Sequence, residues 1–353
     1  MNYLIATLFL LFSLSNYSQN KIIDTNTKQI IPFVEIYSED GEFLGSSDID
    51  GFIPKNLIDN IATDEKTVIF LYHQNYENKK IILKEFKTQT NQYMIPYIDS
   101  SLTGLKEVVI EGNNKKKYKK ITAYFRSVQY NESRIHYFMD GIVNFYIHRK
   151  KSKAKIEIVQ NRSLSNDSIR QIDEKGTIQI GLNLTGVPNI DDYFDIRNIE
   201  KSFELQDSLG CTIVKKEKLN LGKIIKRAQK KHLNIQFFSE NNSKEMSAFG
   251  TTSILNNYTV TAVYNSNLRD DCLHYFKENR SYRIKNKKEL THHHINAINE
   301  VFVFDSELTN EESNSRNNYY NFINKSDYVN DFWKDLSVNP LPESVQLFIA
   351  EKS

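Results

Sequence analysis

The residues best suited to chemistry in this 353-residue chain are few and scattered. The sharpest local cluster is His292-His293-His294. Successive side chains alternate in direction along a strand, so there His292 and His294 would share a face and offer two imidazoles to one metal ion. Two imidazoles underfill a site, so a third ligand must come from elsewhere, and Asp270, Asp271 and His274 are nearest in the chain. The competing account is an exposed polar segment that follows Lys287-Lys288-Glu289. Asp48 and Asp50 before Gly51 resemble half of a calcium loop, but no carboxylate falls where the bidentate ligand is needed, and side-chain capping of a turn accounts for both. The adjacent acids Asp191-Asp192 and Glu311-Glu312 point apart on a strand or a helix and make no acid–base pair. Cys211 and Cys272 are the two cysteines, open either to pairing in an oxidising compartment or to burial as free thiols. The chain holds no Gly-x-Ser-x-Gly elbow, no His-Glu-x-x-His helix, no P-loop and no dinucleotide glycine fingerprint. The expectation is therefore no catalytic residue and no cofactor, with His292 and His294 as the metal candidates. Asn-x-Ser/Thr matches at Asn161, Asn183 and Asn257 are what an Asn-rich chain yields by chance.

The elements that must position these residues read as mostly β. From Lys21 to about Asp99, short strands alternate with polar turns: Pro32 to Ser38, Phe43 to Ser47, Thr67 to Tyr72, Lys80 to Leu83 and Gln92 to Ile98 among a count of seven. A polar, basic stretch from Glu111 to Lys120 separates this region from the rest and carries five lysines. Beyond it, Ile121 to Tyr130 begins as a possible helix, and Arg134 to Met139 pairs with Gly141 to His148 across an Asp140-Gly141 turn. Strands follow at Lys153 to Gln160, Ile178 to Leu184, Asn234 to Ser239, Asn257 to Tyr264, His274 to Glu278 and Glu300 to Asp305. Leu221, Ile224, Ile225 and Ala228 stand at helical spacing and predict an amphipathic helix over Leu219 to Leu233. A second helix is expected over Tyr319 to Trp333, stopped by Pro340 and Pro342.

Composition bounds the class. Hydrophobic residues make up 39% and charged residues 25%, and 46 basic side chains face 44 acidic ones. This excludes a disordered tail, a collagen-like fibre and a disulfide-dense miniprotein, and on net charge a polybasic nucleic-acid binder. Leu4 to Leu14 is an apolar run too short to span a bilayer, and small residues follow it, so residues 1–18 read as a signal peptide cut after Ser18. No Cys follows for lipidation, and no later run is long enough for a transmembrane helix.

One stretch carries a family resemblance. Ile30-Ile31-Pro32-Phe33-Val34-Glu35-Ile36, then Gly45-Ser46-Ser47-Asp48-Ile49-Asp50-Gly51-Phe52-Ile53, resemble the strand and turn of the carboxypeptidase regulatory-like domain. Tyr72-His73-Gln74-Asn75-Tyr76-Glu77 is similar to its later turn, with Asn75 where Gly is usual, and Leu105 to Ile110 is similar to the strand that commonly follows. Lys21 or Ile22 stands where a Gly usually opens the first strand. The resemblance covers about residues 21–112 and implies a transthyretin-like β-sandwich, common in exported proteins of Bacteroidota, that is a structural or interaction module without an active site. The peptidase domain itself has no counterpart.

The expected organisation is a signal peptide at 1–18, a β-sandwich at 19–99, a strand and basic linker at 100–120, and a larger β-rich domain at 121–353. The last is expected to form a curved antiparallel sheet with a few helices. The expected function is a non-enzymatic, exported, periplasmic or surface-associated protein that contacts an envelope protein, glycan or lipid and no nucleic acid. Alternatives are a hydrolase with an unrecognised site in the C-terminal domain and a carrier of an apolar ligand.

Overall fold

The computed structural model describes residues 20–39, 43–47, 51–53, 66–73, 76–89, 91–96, 116–132, 134–149, 153–166, 183–208, 211–227, 230–238, 243–248, 250–265, 272–287, 289–312, 325–334, 336, 341 and 343–352. The chain divides into two units, with the main break between Tyr97 and Ile98. Both are built mainly of strands, as expected. The expected strand Leu105–Ile110 and the signal segment lie outside the described residues.

The first unit has two layers. Strands β1 (Lys21–Asp24) and β6 (Asn91–Met94) form a parallel pair. Strands β2 (Glu35–Ser38), β3 (Phe43–Ser46), β4 (Val68–His73) and β5 (Tyr76–Ile82) form an antiparallel sheet in the order β3-β2-β4-β5. Ile22 and Met94 of the pair and Ile36, Ile69 and Leu71 of the sheet share one buried core. A short helix that the strand pattern did not foretell, α1 (Leu83–Thr88), adds Leu83 and Phe86 to it. Asp24 closes β1: its Oδ1 accepts the backbone N–H groups of Asn26 and Thr27 at 2.8 Å each, and its Oδ2 accepts the Tyr76 hydroxyl at 2.7 Å. The expected strand at Pro32 is shorter than its sequence pattern, because Phe33 turns at φ +56° before β2 begins. Gly51 sits at φ +70°, and a Cβ there would meet Ile30 Cγ2 at 1.9 Å, so this motif position requires glycine.

The second unit is dominated by one curved antiparallel sheet of eleven strands among the described residues. They are β7 (Tyr118–Asn131), β8 (Arg134–His148), β9 (Ala154–Ser165), β10 (Glu204–Ser208), β11 (Cys211–Lys216), β12 (Leu219–Arg227), β13 (Lys230–Phe238), β14 (Lys244–Ala248), β15 (Thr251–Asn265), β16 (Cys272–Asn286) and β17 (His293–Thr309). Their order is β10-β11-β12-β13-β15-β16-β17-β7-β8-β9, with β14 beside the first half of β15. Ile121 and Phe145 near one edge and Val214 and Ile224 near the other belong to a single core cluster. The piece that joins them is residues 183–203, with a 3-10 turn at Asp191–Tyr193 and helix α2 (Ile196–Ser202), which lays Val187, Ile190, Tyr193, Phe194, Ile196 and Ile199 against the sheet. This covered side is the inner face, and its opposite is the outer face.

Four expectations are corrected. Ile121 to Tyr130 is strand throughout, since its aromatic and β-branched residues are paired on both sides, by β17 and by β8. Asp140-Gly141 is no turn: β8 runs straight through it. A Cβ on Gly141 would lie 2.4 Å from the Gln160 carbonyl oxygen and 2.8 Å from the Phe125 ring, so the glycine serves close strand packing rather than a hairpin. The predicted helix at Leu219 to Leu233 is the β12–β13 hairpin, in which Gly222 pairs with Ile235 and Ile224 with Leu233. A Cβ at Gly222 would come 2.0 Å from the Asn234 carbonyl oxygen, and cross-strand burial of Ile224 overrides the helical spacing. The described part of Tyr319 to Trp333 is non-helical, and helix α3 (Glu343–Lys352) instead follows the prolines, which suit a helix start. Of Ile178 to Leu184, only Asn183 and Leu184 are described, and they belong to no strand.

Candidate functional site

The histidine cluster does not assemble the ligand set expected of it. His293 opens β17 and faces two carboxylates, with Nδ1 3.2 Å from Glu132 and Nε2 3.5 Å from Glu289. The His294 backbone N–H donates to Glu132 Oε1 at 3.0 Å. His294 pairs with Arg283, whereas His274 lies nine residues down β16, about 30 Å away at strand rise, so it shares no ion with His292 or His294. Asp270 and Asp271 lie outside the described residues. Among the described residues, no three His, Cys, Asp or Glu side chains are grouped to hold a metal. Cys211 and Cys272 are not joined to each other, and three strands lie between theirs. The paired acids separate: Asp191 accepts the Ala154 N–H at 2.9 Å, and Glu312 pairs with Lys155.

What the fold does gather is charge on both faces of the sheet. On the outer face, cross-strand register aligns Arg162, Asp140, Arg126, Glu300 and Lys277 in one row across β9, β8, β7, β17 and β16. Thr261 and Asn234 extend it across β15 and β13, and the Thr261 hydroxyl donates to Asn234 at 3.1 Å. Arg162 grips Asp140 with Nε at 3.1 Å and Nη2 at 2.7 Å, and Tyr124 adds its hydroxyl at 3.0 Å. Arg126 pairs with Glu300, whose other oxygen takes the Tyr275 hydroxyl at 2.6 Å. Burial pushes the Asp140 carboxyl up, an effect that Arg162, Tyr124 and Arg126 oppose. Burial would raise Glu300 too, but Arg126 and Lys277 outweigh it and hold that carboxyl below its ordinary value. Every carboxylate oxygen of the pair is engaged, so neither group is poised to take a proton from a substrate. Residues 325–334 strap this row: Asp327 and Asn161 exchange backbone hydrogen bonds at 2.8 Å, and the Trp333 ring lies 3.8 Å from the Arg162 guanidinium.

The inner face carries a second, shorter network. Gly186 N–H donates to Ser127 Oγ at 3.1 Å, Ser127 pairs with Asn299, Asn299 donates to Glu278 Oε1 at 2.8 Å, and Glu278 Oε2 accepts Arg280 Nη2 at 2.8 Å. This chain fixes Arg280 over the Tyr258 ring, 4.7 Å from its centroid. Phe237 stacks on Tyr258 at 4.9 Å, and Phe203 follows at 6.0 Å. Burial opposes the charge on Arg280, but Glu278, Tyr258 and Tyr282 hold it firmly protonated. Burial, with Glu278 nearby, raises the Tyr258 hydroxyl. Arg280 is 33% exposed against 4% and 6% for Arg126 and Arg162. Its Nε is buried and makes no hydrogen bond among the described residues. This shelf is the candidate site. It offers a fixed cation and an aromatic row.

No family model matches the chain, and no curated protein matches it. Solved structures match weakly. One is a lipovitellin chain, described as "lipid-protein interactions in lipovitellin", at TM-score 0.28 and 10% identity over 57% of this chain. The match spans 26% of that chain, and at this level the likeness carries no argument. Among the described residues, no helix is long and apolar enough to cross a membrane.

Proposed function

We propose that this is a non-catalytic, exported cell-envelope protein. In this reading the first unit serves as a carboxypeptidase regulatory-like module, and the large sheet contacts a partner through its inner shelf. The observation that carries the binding role is Arg280, held in place by the relay from Ser127 through Asn299 and Glu278 while a third of it stays open. Organising a cation this way suits recognition. The absence of catalysis is supported by the outer row, where carboxylates and guanidinium groups satisfy one another. Export is supported by the sequence of residues 1–18.

The test is an activity screen on the mature protein with divalent metals added. The expected result is no turnover of peptide, ester or glycoside substrates. Metal-dependent hydrolysis abolished by His292→Ala or His294→Ala would contradict the reading. For export, fractionation is expected to recover a processed chain from the envelope, and an unprocessed cytoplasmic chain would contradict it.

A further inference from the structure

The inner shelf has a direction. Phe203, Leu205, Leu221, Phe237 and Tyr258 are half-buried apolar residues packed on the inner core, and they run from the β10 edge of the sheet toward Arg280 on β16. The strand order places five spacings between β10 and β16, about 24 Å along the face. One end of this strip is therefore apolar and the other ends in a guanidinium. That guanidinium gives Nη2 to Glu278 at 2.8 Å and to the Tyr258 hydroxyl at 3.4 Å, and a third of the Arg280 side chain stays exposed. The exposed part of this cation can take an acceptor oxygen while the ligand's apolar body covers the strip.

We propose that the strip binds one acyl-chain ligand, with its carboxyl group at Arg280 and its chain along Tyr258, Phe237 and Leu221 toward Leu205. This names a ligand class for the shelf and so rests on the binding role proposed above. Charge complementarity picks the orientation: at the β10 end Asp207 follows Leu205 on the same face and would repel a carboxylate, whereas the guanidinium is fixed by the relay behind it and needs no rearrangement to meet an acceptor. Glu278 has both oxygens occupied, by Asn299 and by Arg280, so the relay holds it in place when a ligand arrives.

The probe is cis-parinaric acid, whose fluorescence rises on transfer from water to an apolar site, titrated into the full mature chain after delipidation. Saturable one-to-one binding is expected, with tenfold or weaker affinity for the corresponding long-chain alcohol. Two variants test the two ends. Glu278→Gln/Arg280→Gln removes the head contact without leaving a lone buried charge, and Leu205→Glu blocks the tail at the exposed β10 edge. Each is expected to lower affinity at least tenfold; the double variant is expected to keep the wild-type melting temperature, and Leu205→Glu to lower it only by the loss of its packing on the core. Phosphatidylcholine vesicles separate a free acid from a membrane acyl chain as the source: no vesicle binding is expected, and vesicle binding that competes with parinarate would overturn the free-acid assignment. Absence of saturable binding, or affinity unchanged in both variants, overturns the proposal. If binding is absent while the activity screen finds no turnover, only the ligand class falls. Hydrolysis in that screen removes the parent reading whatever parinarate does.

Discussion

Arg162 and Arg280 both lie over an aromatic ring and both face a carboxylate, one on the outer and one on the inner face of the same sheet. Arg162 uses two nitrogens on Asp140, has Trp333 over it and is almost fully enclosed. Arg280 uses one nitrogen, Nη2, on Glu278 and the Tyr258 hydroxyl and is partly open. The difference separates a charge that closes a structure from a charge that waits for something. A bidentate, enclosed guanidinium is closed to a ligand, and removing it strands a buried anion. A half-open guanidinium held through one terminal nitrogen keeps donors for a ligand, and the chain has spent a serine, an asparagine and a glutamate on aiming it.

The largest effect should come from breaking the sealed side. Arg162→Ala takes from buried Asp140 its bidentate partner, leaving the Tyr124 hydroxyl and the more distant Arg126, and should cost about 3–5 kcal/mol, read as a lowered melting temperature for the second unit. Trp333 is the single tryptophan, so the same variant should shift its emission to the red as the strap loses its seat. Retained stability and emission would make Arg162 as dispensable as a surface cation.

Next in size is Gly222→Ala. Its Cβ would meet the Asn234 carbonyl oxygen at 2.0 Å, so strand separation or distortion should cost about 1–3 kcal/mol. A neutral or stabilising result would mean that the β12–β13 hairpin is not the folded state there, since in a helix this change favours folding.

A smaller effect concerns acid. Glu300 has its carboxyl held below the ordinary value of 4.5, so its contribution to stability is complete above that pH and is lost as pH falls through the depressed folded value. Asp140 is raised instead, so its burial penalty is relieved as pH falls, opposite in sign. Glu300→Gln should therefore flatten the fall of melting temperature below about pH 4.5, and an unchanged slope would remove Glu300 from the acid response. The least effect is expected from His294→Ala, whose side chain is exposed and whose contact with Glu132 runs through the backbone, so stability should change by less than about 0.5 kcal/mol.

These contrasts also explain what was legible beforehand. The β-rich class was visible because runs such as Tyr258 to Tyr264 and Thr67 to Tyr72 are short, apolar and β-branched. Lengths and turns were not. Asp140-Gly141 has the composition of a hairpin turn, and only the closeness of Gln160 and Phe125 explains its glycine. Leu221, Ile224 and Ile225 satisfy a helical period and a buried hairpin equally well, and pairing with β11 and β13 decides between them. His292 to His294 drew notice because they are adjacent. The two networks did not, because Arg126 and Glu300 are 174 residues apart and Asn299 and Glu278 are 21 apart. The trace they left was a charged residue inside an otherwise apolar strand, as in Tyr124-Phe125-Arg126 and Glu300-Val301-Phe302.

The central claim is that Arg280 is organised for a ligand and Arg162 for the fold. Its most direct measurement is the parinarate titration of Glu278→Gln/Arg280→Gln beside the wild type, with the melting temperature taken on the same samples. The account predicts at least a tenfold loss of affinity with the melting temperature retained. Equal affinity in both proteins, or a collapse in stability matching that of Arg162→Ala, would contradict it.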